Sequence, residues 1–436
     1  VDGWNLDSDY IQTADIDASA SATENSDGAG GYYGFLPIGT FAAPFTGSYN
    51  GGGYAISNLY INRVAVDLVG LFGYVDTGAE IENLGVINCD ITGDDYVGAV
   101  VGYNNGETIS NCYSTGSVSG RNSIGGFIAL NYLGTISNCY STADVIGNRY
   151  VGGFIGYNNG ETISNCYSTG SVTGRNSIGG FIGANAYGTI LNCYSTGSVA
   201  GSINVGGFIG RTNIDTYYTS CYWDTQTSGQ ATSDGGTGLT TDQMTYPYDG
   251  AYYGWNFSSI WANDEDFVLN DGYPILAVFY SKYIVTYPAT DITYEGAKLK
   301  GKAVTDGSAD VKAYFEYRIK GDASWTGSSK LDIETTQPFE TTITGLDGLK
   351  VYEFRAVLEE SSTPISYGLI REFTTLSEVA ADEIRSIATP ISLKTTKEIN
   401  GAWTSQMQIL PDDYAATDSY IDIDSEHYVV KKLRRI

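Results

Sequence analysis

Residues 103–126 and 157–180 are two stretches of 24 residues, 54 apart, that differ only where Ser119 stands against Thr173. Segments this alike must sit in equivalent surroundings, so the chain has to be read as an array before anything else. Half of that offset is the unit. Ile-Ser-Asn-Cys recurs at 109–112, 136–139 and 163–166, followed by Ile-Leu-Asn-Cys at 190–193, in steps of 27. Weaker copies stand at 56–59, 81–84 and 218–221. A second element, Val-Gly-Gly-Phe-Ile-Gly, interleaves at 151–156 and 205–210, with variants at 70–73, 97–102 and 178–183. Each unit therefore holds short β-type runs split by Gly, Asn and Ser turns. A unit of this size cannot bury its own apolar face and must stack on its neighbours. The expected fold is all-β: a parallel β-helix of about 27 residues per coil and some seven coils, each about 4.8 Å from the next.

Stacking turns sequence positions into columns. One runs Leu59, Leu84, Cys112, Cys139, Cys166, Cys193, Cys221. Leucine in the upper coils marks this column as interior, so the cysteines are expected to act as small buried hydrophobes with free thiols. A disulfide ladder is the rival reading, but in-register side chains point alike and bridge poorly. Zinc lacks a Cys-x-x-Cys pair and has one His in the whole chain. Cys89 lies off the column. The preceding column, Asn58, Asn83, Asn111, Asn138, Asn165, Asn192, is expected to form a structural amide ladder at a coil corner. The following column, Tyr60, Tyr113, Tyr140, Tyr167, Tyr194, Tyr222, alternates to the opposite side from the cysteines. It is expected either to stiffen the rod by outward stacking or to serve as a binding stripe for sugar or protein.

Charge narrows the function. The net charge is −27, and residues 1–275 contain 26 acidic side chains, five Arg and no Lys. Such a surface repels phosphate backbones, so no nucleic-acid partner is expected. No apolar run approaches the roughly 18 residues of a membrane span, so no membrane insertion is expected either. The chain begins at Val1, as a processed product or a piece of something longer would.

The alternation of Gly-Phe-Ile-Gly with Ile-Ser-Asn-Cys-Tyr-Ser-Thr-Gly, preceded by residues 45–54 and followed by Cys-Tyr-Trp-Asp-Thr at 221–225, resembles the GLUG-motif repeats of microbial extracellular proteins over roughly residues 4–245. The resemblance implies a surface-exposed, adhesion-type solenoid. GLUG repeats also accompany IgA-specific metallopeptidases, but this chain has no His-Glu-x-x-His.

Four domains are expected: a GLUG-type β-helix over 1–245, a cap or linker over 246–277 closing the last coil, a β-sandwich over 278–377 and a small β module over 378–436. Gly345-Leu346 followed by Tyr352-x-Phe354-Arg355-Ala356 resembles the tyrosine corner and penultimate strand of fibronectin type III domains. The stretch from Ile391 to Arg434, with Glu398-x-Asn400-Gly401, resembles the start of tail-hub or tail-tip proteins of long-tailed bacteriophages. On that resemblance the leading expectation is a tail-tip or receptor-binding component of a phage. The alternative is a microbial surface adhesin or filament subunit. In either case the protein would be extracellular, on a virion tail or cell surface. It would bind a glycan or protein receptor and associate with itself or with other tail or surface proteins through the C-terminal module.

No catalytic, cofactor-binding or metal residue is assigned. His427 lies far from the repeats, which argues against a His-based triad. A tailspike-like enzyme that cleaves polysaccharide needs two carboxylates at a defined separation. Candidates are Asp94, Asp95, Glu107, Asp144 and Glu161, although Glu107 and Glu161 recur at equivalent turns, as structural residues would. Calcium is the one ion for which ligands are at hand, from Asp15, Asp17, Glu24 and Asp27 or from Asp264, Glu265, Asp266 and Asp271.

Overall fold

The computed structural model describes residues 5–264, 269–280, 282–305, 310–368 and 370–377, and beyond them four strands between 392 and 434. The chain divides into two compact units, residues 1–281 and 282–436. The first is a β-solenoid of about six turns with about 27 residues per coil. Three parallel sheets of 11, 13 and 5 strands form its walls. Equivalent residues stack one coil apart, as in Ile109, Ile136, Ile163 and Ile190 in the first sheet and Val97, Ile124, Val151, Ile178 and Val205 in the third.

The interior is a set of such ladders. Phe127, Phe154, Phe181 and Phe208 are fully buried, their rings stacked at 4.8, 4.9 and 4.8 Å. The Gly-Gly before each Phe is a steric requirement. A Cβ at Gly152 would stand 2.1 Å from the Ile155 carbonyl oxygen, and one at Gly153 would stand 2.2 Å from that of Gly180. The buried Ser114, Ser168 and Ser195 hydroxyls reach across the coil to the Gly126, Gly180 and Gly207 carbonyls at 2.8, 2.7 and 2.8 Å.

The asparagine corner has a backbone reason. Asn111, Asn138, Asn165 and Asn192 all have φ of 52 or 53°, in the left-handed region that Asn tolerates best among non-glycine residues. Each donates its amide to the carboxamide oxygen of the Asn in the preceding coil, at 3.1 to 3.3 Å. Asn165→Ala should therefore cost about 1–2 kcal/mol, from backbone strain plus two lost side-chain hydrogen bonds. Asn165→Gly should cost less. A denaturation midpoint that is equal for Ala and Gly would show that the backbone term is absent.

The register corrects the upper ends of the sequence columns. Ala55 pairs with Gly85, and Gly85 with Tyr113, while Tyr60 pairs with Asp90. Leu59 therefore lies over Cys89, not Leu84, and Asn58 accepts from Asn88 at 2.6 Å rather than joining Asn83. Asn83 instead donates to Asn50. The early coils, about 30 residues long here, carry extra residues that a fixed 27-residue step misplaces. Cys89, without a place in the sequence columns, is buried under Leu59.

The second correction concerns residues 246–277. Beyond meeting the last coil at Tyr222, the described residues of 240–280 run back along the side of the rod as far as Tyr113. Tyr252 and Trp255 pack on Tyr194 and Tyr222, Trp261 on Tyr167 and Tyr194, and Phe279 on Tyr113 and Tyr140. A single helical turn, Thr241–Met244, opens this strap. Thr240 and Gln243 cap it reciprocally, and its Met244 is fully buried.

The second unit contains an antiparallel β-sandwich. A three-stranded antiparallel sheet (Tyr283–Thr290, Gly296–Val304, Gln337–Thr344) belongs to it, as does a sheet built on Val311–Ile319 and Val351–Glu360. Phe315, Phe354 and Leu299 are fully buried between them. The tyrosine corner is present: the Asp347 N–H donates to the Tyr352 hydroxyl oxygen at 2.9 Å. Ser392–Lys397, Trp403–Ile409, Ser419–Ile423 and Val430–Arg434 form a four-stranded antiparallel sheet. The Glu398-x-Asn400-Gly401 segment lies outside the described residues.

Candidate functional site

Cys112, Cys139, Cys166, Cys193 and Cys221 occupy one interior column below Leu84, and all six thiols are free and buried. Their sulfurs donate to backbone carbonyls, as Cys166 does to Ser164 at 3.1 Å. Burial pushes the Cys112, Cys139 and Cys193 thiols well up and Cys89 to about 12. At Cys166 the same burial is outweighed by hydrogen bonds from the thiols of Cys139 and Cys193, which pull its thiol down. With no bridge to lose, the thermal midpoint should be the same with and without reductant. A drop of several degrees in reductant would contradict the free-thiol assignment.

The expected tyrosine stripe is where the structure departs furthest from a binding surface. Tyr113, Tyr140, Tyr167, Tyr194 and Tyr222 do face away from the cysteines, and the first four stack at 4.8 to 5.0 Å. The strap covers them, however: Tyr140, Tyr167, Tyr194 and Tyr222 are buried. The Tyr194 hydroxyl donates to the Pro274 carbonyl at 2.7 Å. Tyr60 is not in this column at all. The stripe is the second hydrophobic core of the unit, because flat stacked rings offer apolar area that a Trp-rich segment can cover.

An accessible aromatic face exists elsewhere, where Tyr103 and Tyr157 on the outer side of the first sheet meet Tyr96 and Tyr150 of the third. Tyr96 and Tyr103 are half-buried with ring centroids 6.4 Å apart, and Tyr150 and Tyr157 repeat them two coils on at 5.3 Å. Tyr132 and Tyr187 stand beside them, exposed. Burial and the neighbouring tyrosines push the Tyr103 and Tyr157 phenols up. The two clusters are equivalent positions of the 54-residue duplication, about 10 Å apart by strand spacing. Tyrosines at 96, 103, 150 and 157 recur with the 54-residue duplication, but the sequence alone does not distinguish a tyrosine that stays accessible from one that is covered.

Beneath this face runs a buried polar ladder that the sequence reading missed. Asn104 donates to Asn131, Asn131 to Asn158 and Asn158 to Asn185, at 2.9, 2.9 and 2.7 Å. The signal was there, since Asn recurs at 104, 131, 158 and 185. The ladder ends where the next coil offers Val75 or Thr212. The end groups, Asn104 Oδ1 and Asn185 Nδ2, are left buried without a partner.

Apart from Asp94 and Asp95, which lie together, the candidate carboxylates do not converge, and most are engaged. Arg121 pairs with Asp94 and Asp95 at 2.6 and 3.0 Å. Glu107 accepts from the Gly78 N–H at 3.0 Å, Asp144 accepts from Ser171, and Glu161 is exposed on the strand Ile155–Ser164. The calcium candidates are also in structural use. Asp15 accepts from the Ala55 N–H and Asp17 from Ser19 and Asn58. Asp27 holds its own turn, and Asp264 accepts from three backbone N–H groups of residues 269–272. Among the described residues Glu24 and Asp271 join no convergent acidic group, and Glu265 and Asp266 lie outside the described residues. The acidic trio that does converge, Asp67, Asp94 and Asp95, is the one Arg121 already neutralises in part.

Residues 93–119, 120–146, 147–173 and 174–200 each match the GLUG motif, one coil per match. The match covers these four coils, about a quarter of the chain. The chain is 45% identical over 115 residues to halomucin of Haloquadratum walsbyi, a stretch that is 26% of this chain and 1% of halomucin. It is 38% identical over 76 residues to a putative Gly-rich membrane protein of Evansella cellulosilytica, covering 17% of this chain and 9% of that protein. The chain thus spans a small part of either relative. Among solved structures, the sensor domain of the anti-sigma factor RsgI4 of Pseudobacteroides cellulosolvens matches at 17% identity and a TM-score of 0.20, covering 22% of this chain and 96% of that one. A human fibronectin type III domain matches at 19% identity and a TM-score of 0.19, covering 22% and 74%.

Proposed function

We propose that the protein is a non-enzymatic, cell-surface structural rod of adhesin type that uses the outer face of its first sheet to hold glycan. The observation that carries this reading is the pair of aromatic clusters on a GLUG solenoid, Tyr96 with Tyr103 and Tyr150 with Tyr157, left accessible while the Phe127–Phe208 ladder and Tyr140, Tyr167, Tyr194 and Tyr222 are buried. Tyrosine gives a flat apolar body and a polar tip, which suits the C–H faces and hydroxyls of sugar rings. The repeats shared with halomucin and with a Gly-rich membrane protein support placement at the cell surface. The phage-tail version, in which the same rod would sit at a tail tip, rests on the sequence resemblance of residues 391–434 alone.

The test has two arms. Protease shaving of intact source cells should release peptides of residues 1–281, and their absence from the shaved fraction, with the protein recovered in virions instead, would replace the cell-surface reading with the tail-tip one. Incubation with envelope polysaccharides should give retention without shortening. Sustained appearance of shortened chains, abolished in Asp94→Asn/Asp95→Asn, would make the protein an enzyme.

A further inference from the structure

The outer column of the first sheet runs Tyr103, Leu130, Tyr157, Ala184, Arg211, one residue per coil. Where Ala184 replaces a large side chain, the column has a gap between an aromatic ring and a guanidinium. The gap is a cleft of about 100 Å³, with Ala184 and Ala186 buried in its lining and Tyr150, Tyr157, Asn185, Arg211 and Asn213 around it. That volume suits one group of a larger chain laid across the rod, and is well below the several hundred Å³ of a pocket that encloses a free small molecule.

Its chemistry is donor-rich. Arg211 is exposed and has no ion pair among the described residues, in a solenoid whose net charge is strongly negative. By contrast, Arg121 is paired with two aspartates and Arg149 lies over the Tyr150 ring. Asn185 is 2% exposed, and its Nδ2, the open end of the buried amide ladder, has no partner. A planar guanidinium matches a carboxylate in two parallel hydrogen bonds. A T-shaped tyrosine pair beside it matches a pyranose ring. We propose that this cleft binds the carboxylate of a uronic-acid residue in an acidic polysaccharide. The proposal deepens, and rests on, the glycan-holding reading of this face. A single arginine calls for spaced carboxylates, which favours an acidic glycan over an acidic peptide. With a screening length of about 8 Å at physiological salt, the ligand meets the cleft's own groups rather than the distant acidic surface.

Binding of the full chain to tetrasaccharides of galacturonic and glucuronic acid at physiological salt tests this directly, by calorimetry or fluorescence anisotropy. The acids should bind, and their methyl esters should bind at least about tenfold more weakly. Arg211→Gln should weaken acid binding by about tenfold or more, whereas Arg175→Gln, an exposed solenoid arginine outside the cleft, should leave it unchanged. Ala184→Tyr, which puts back the side chain of the preceding coil, should fold and abolish binding. No binding of either acid, equal binding by Arg211→Gln, or equally tight binding of an oligo-aspartate peptide would overturn the proposal. If the intact protein still holds neutral envelope glycans while the uronates fail, the cleft assignment alone falls; if both fail, the glycan-holding reading falls with it.

Discussion

Cys166→Asp is expected to destabilise the solenoid by on the order of 4 kcal/mol at pH 7, and Cys166→Val by about 1 kcal/mol or less. Cys166 is fully buried, with Cys139 and Cys193 directly above and below and no cation nearby to pair with a carboxylate. An aspartate there would be driven to take up a proton. Protonating a group with a solution pKa of about 3.9 at pH 7 costs about 4 kcal/mol, which bounds the charge penalty. The sign follows: the variant's folded-state pKa lies above its unfolded value, so its deficit should be largest near neutrality and shrink as pH falls towards 4. Cys166→Ser should lie between, because its hydroxyl can keep the bond to the Ser164 carbonyl. Denaturant midpoints of the three variants at pH 7 and pH 4.5 check this. A Cys166→Asp deficit that is small and flat with pH would mean that the position is hydrated.

Trp261→Ala is expected to cost about 3–5 kcal/mol and to free the strap before the solenoid. Trp261 is 1% exposed and lies 4.3 Å from Trp255 by ring centroids, over the stacked Tyr167 and Tyr194. Its indole N–H is buried without a partner, so Trp261→Phe removes an unsatisfied donor along with the lost area and should cost much less. Limited proteolysis should cut Trp261→Ala within 245–275 while the coils stay intact. If the coils and strap unfold in one transition, the strap is an integral part of the rod's cooperative core.

The coil was legible in the sequence because its period is enforced by contact: Phe127 can stack on Phe154 only if the spacing is kept. The cysteine column was legible for the same reason, since Leu84 stands where Cys112 stands one coil later. The upper coils were misregistered at Leu59 and Tyr60 because their length differs from 27, and identity of motif conceals a change in coil length. The tyrosine column illustrates a deeper limit. Alternation tells which side of a strand Tyr167 faces, but not that a segment some 90 residues later returns to cover it. The cleft beside Arg211 was illegible for a related reason: it is made by the smallness of Ala184 between two larger neighbours in space, and neither neighbour adjoins it in sequence.

The register of the solenoid is tested most directly by labelling thiols in the folded protein against the denatured protein, both without reductant. Inward-facing, unpaired cysteines at 112, 139, 166, 193 and 221, with Cys89 buried beside Leu59, predict no fast labelling in the native state and all six thiols labelled once unfolded. Rapid native labelling of several thiols would show that the column faces solvent and the coils are out of register by one residue. Fewer than six labelled after unfolding would show that disulfides cross the coils.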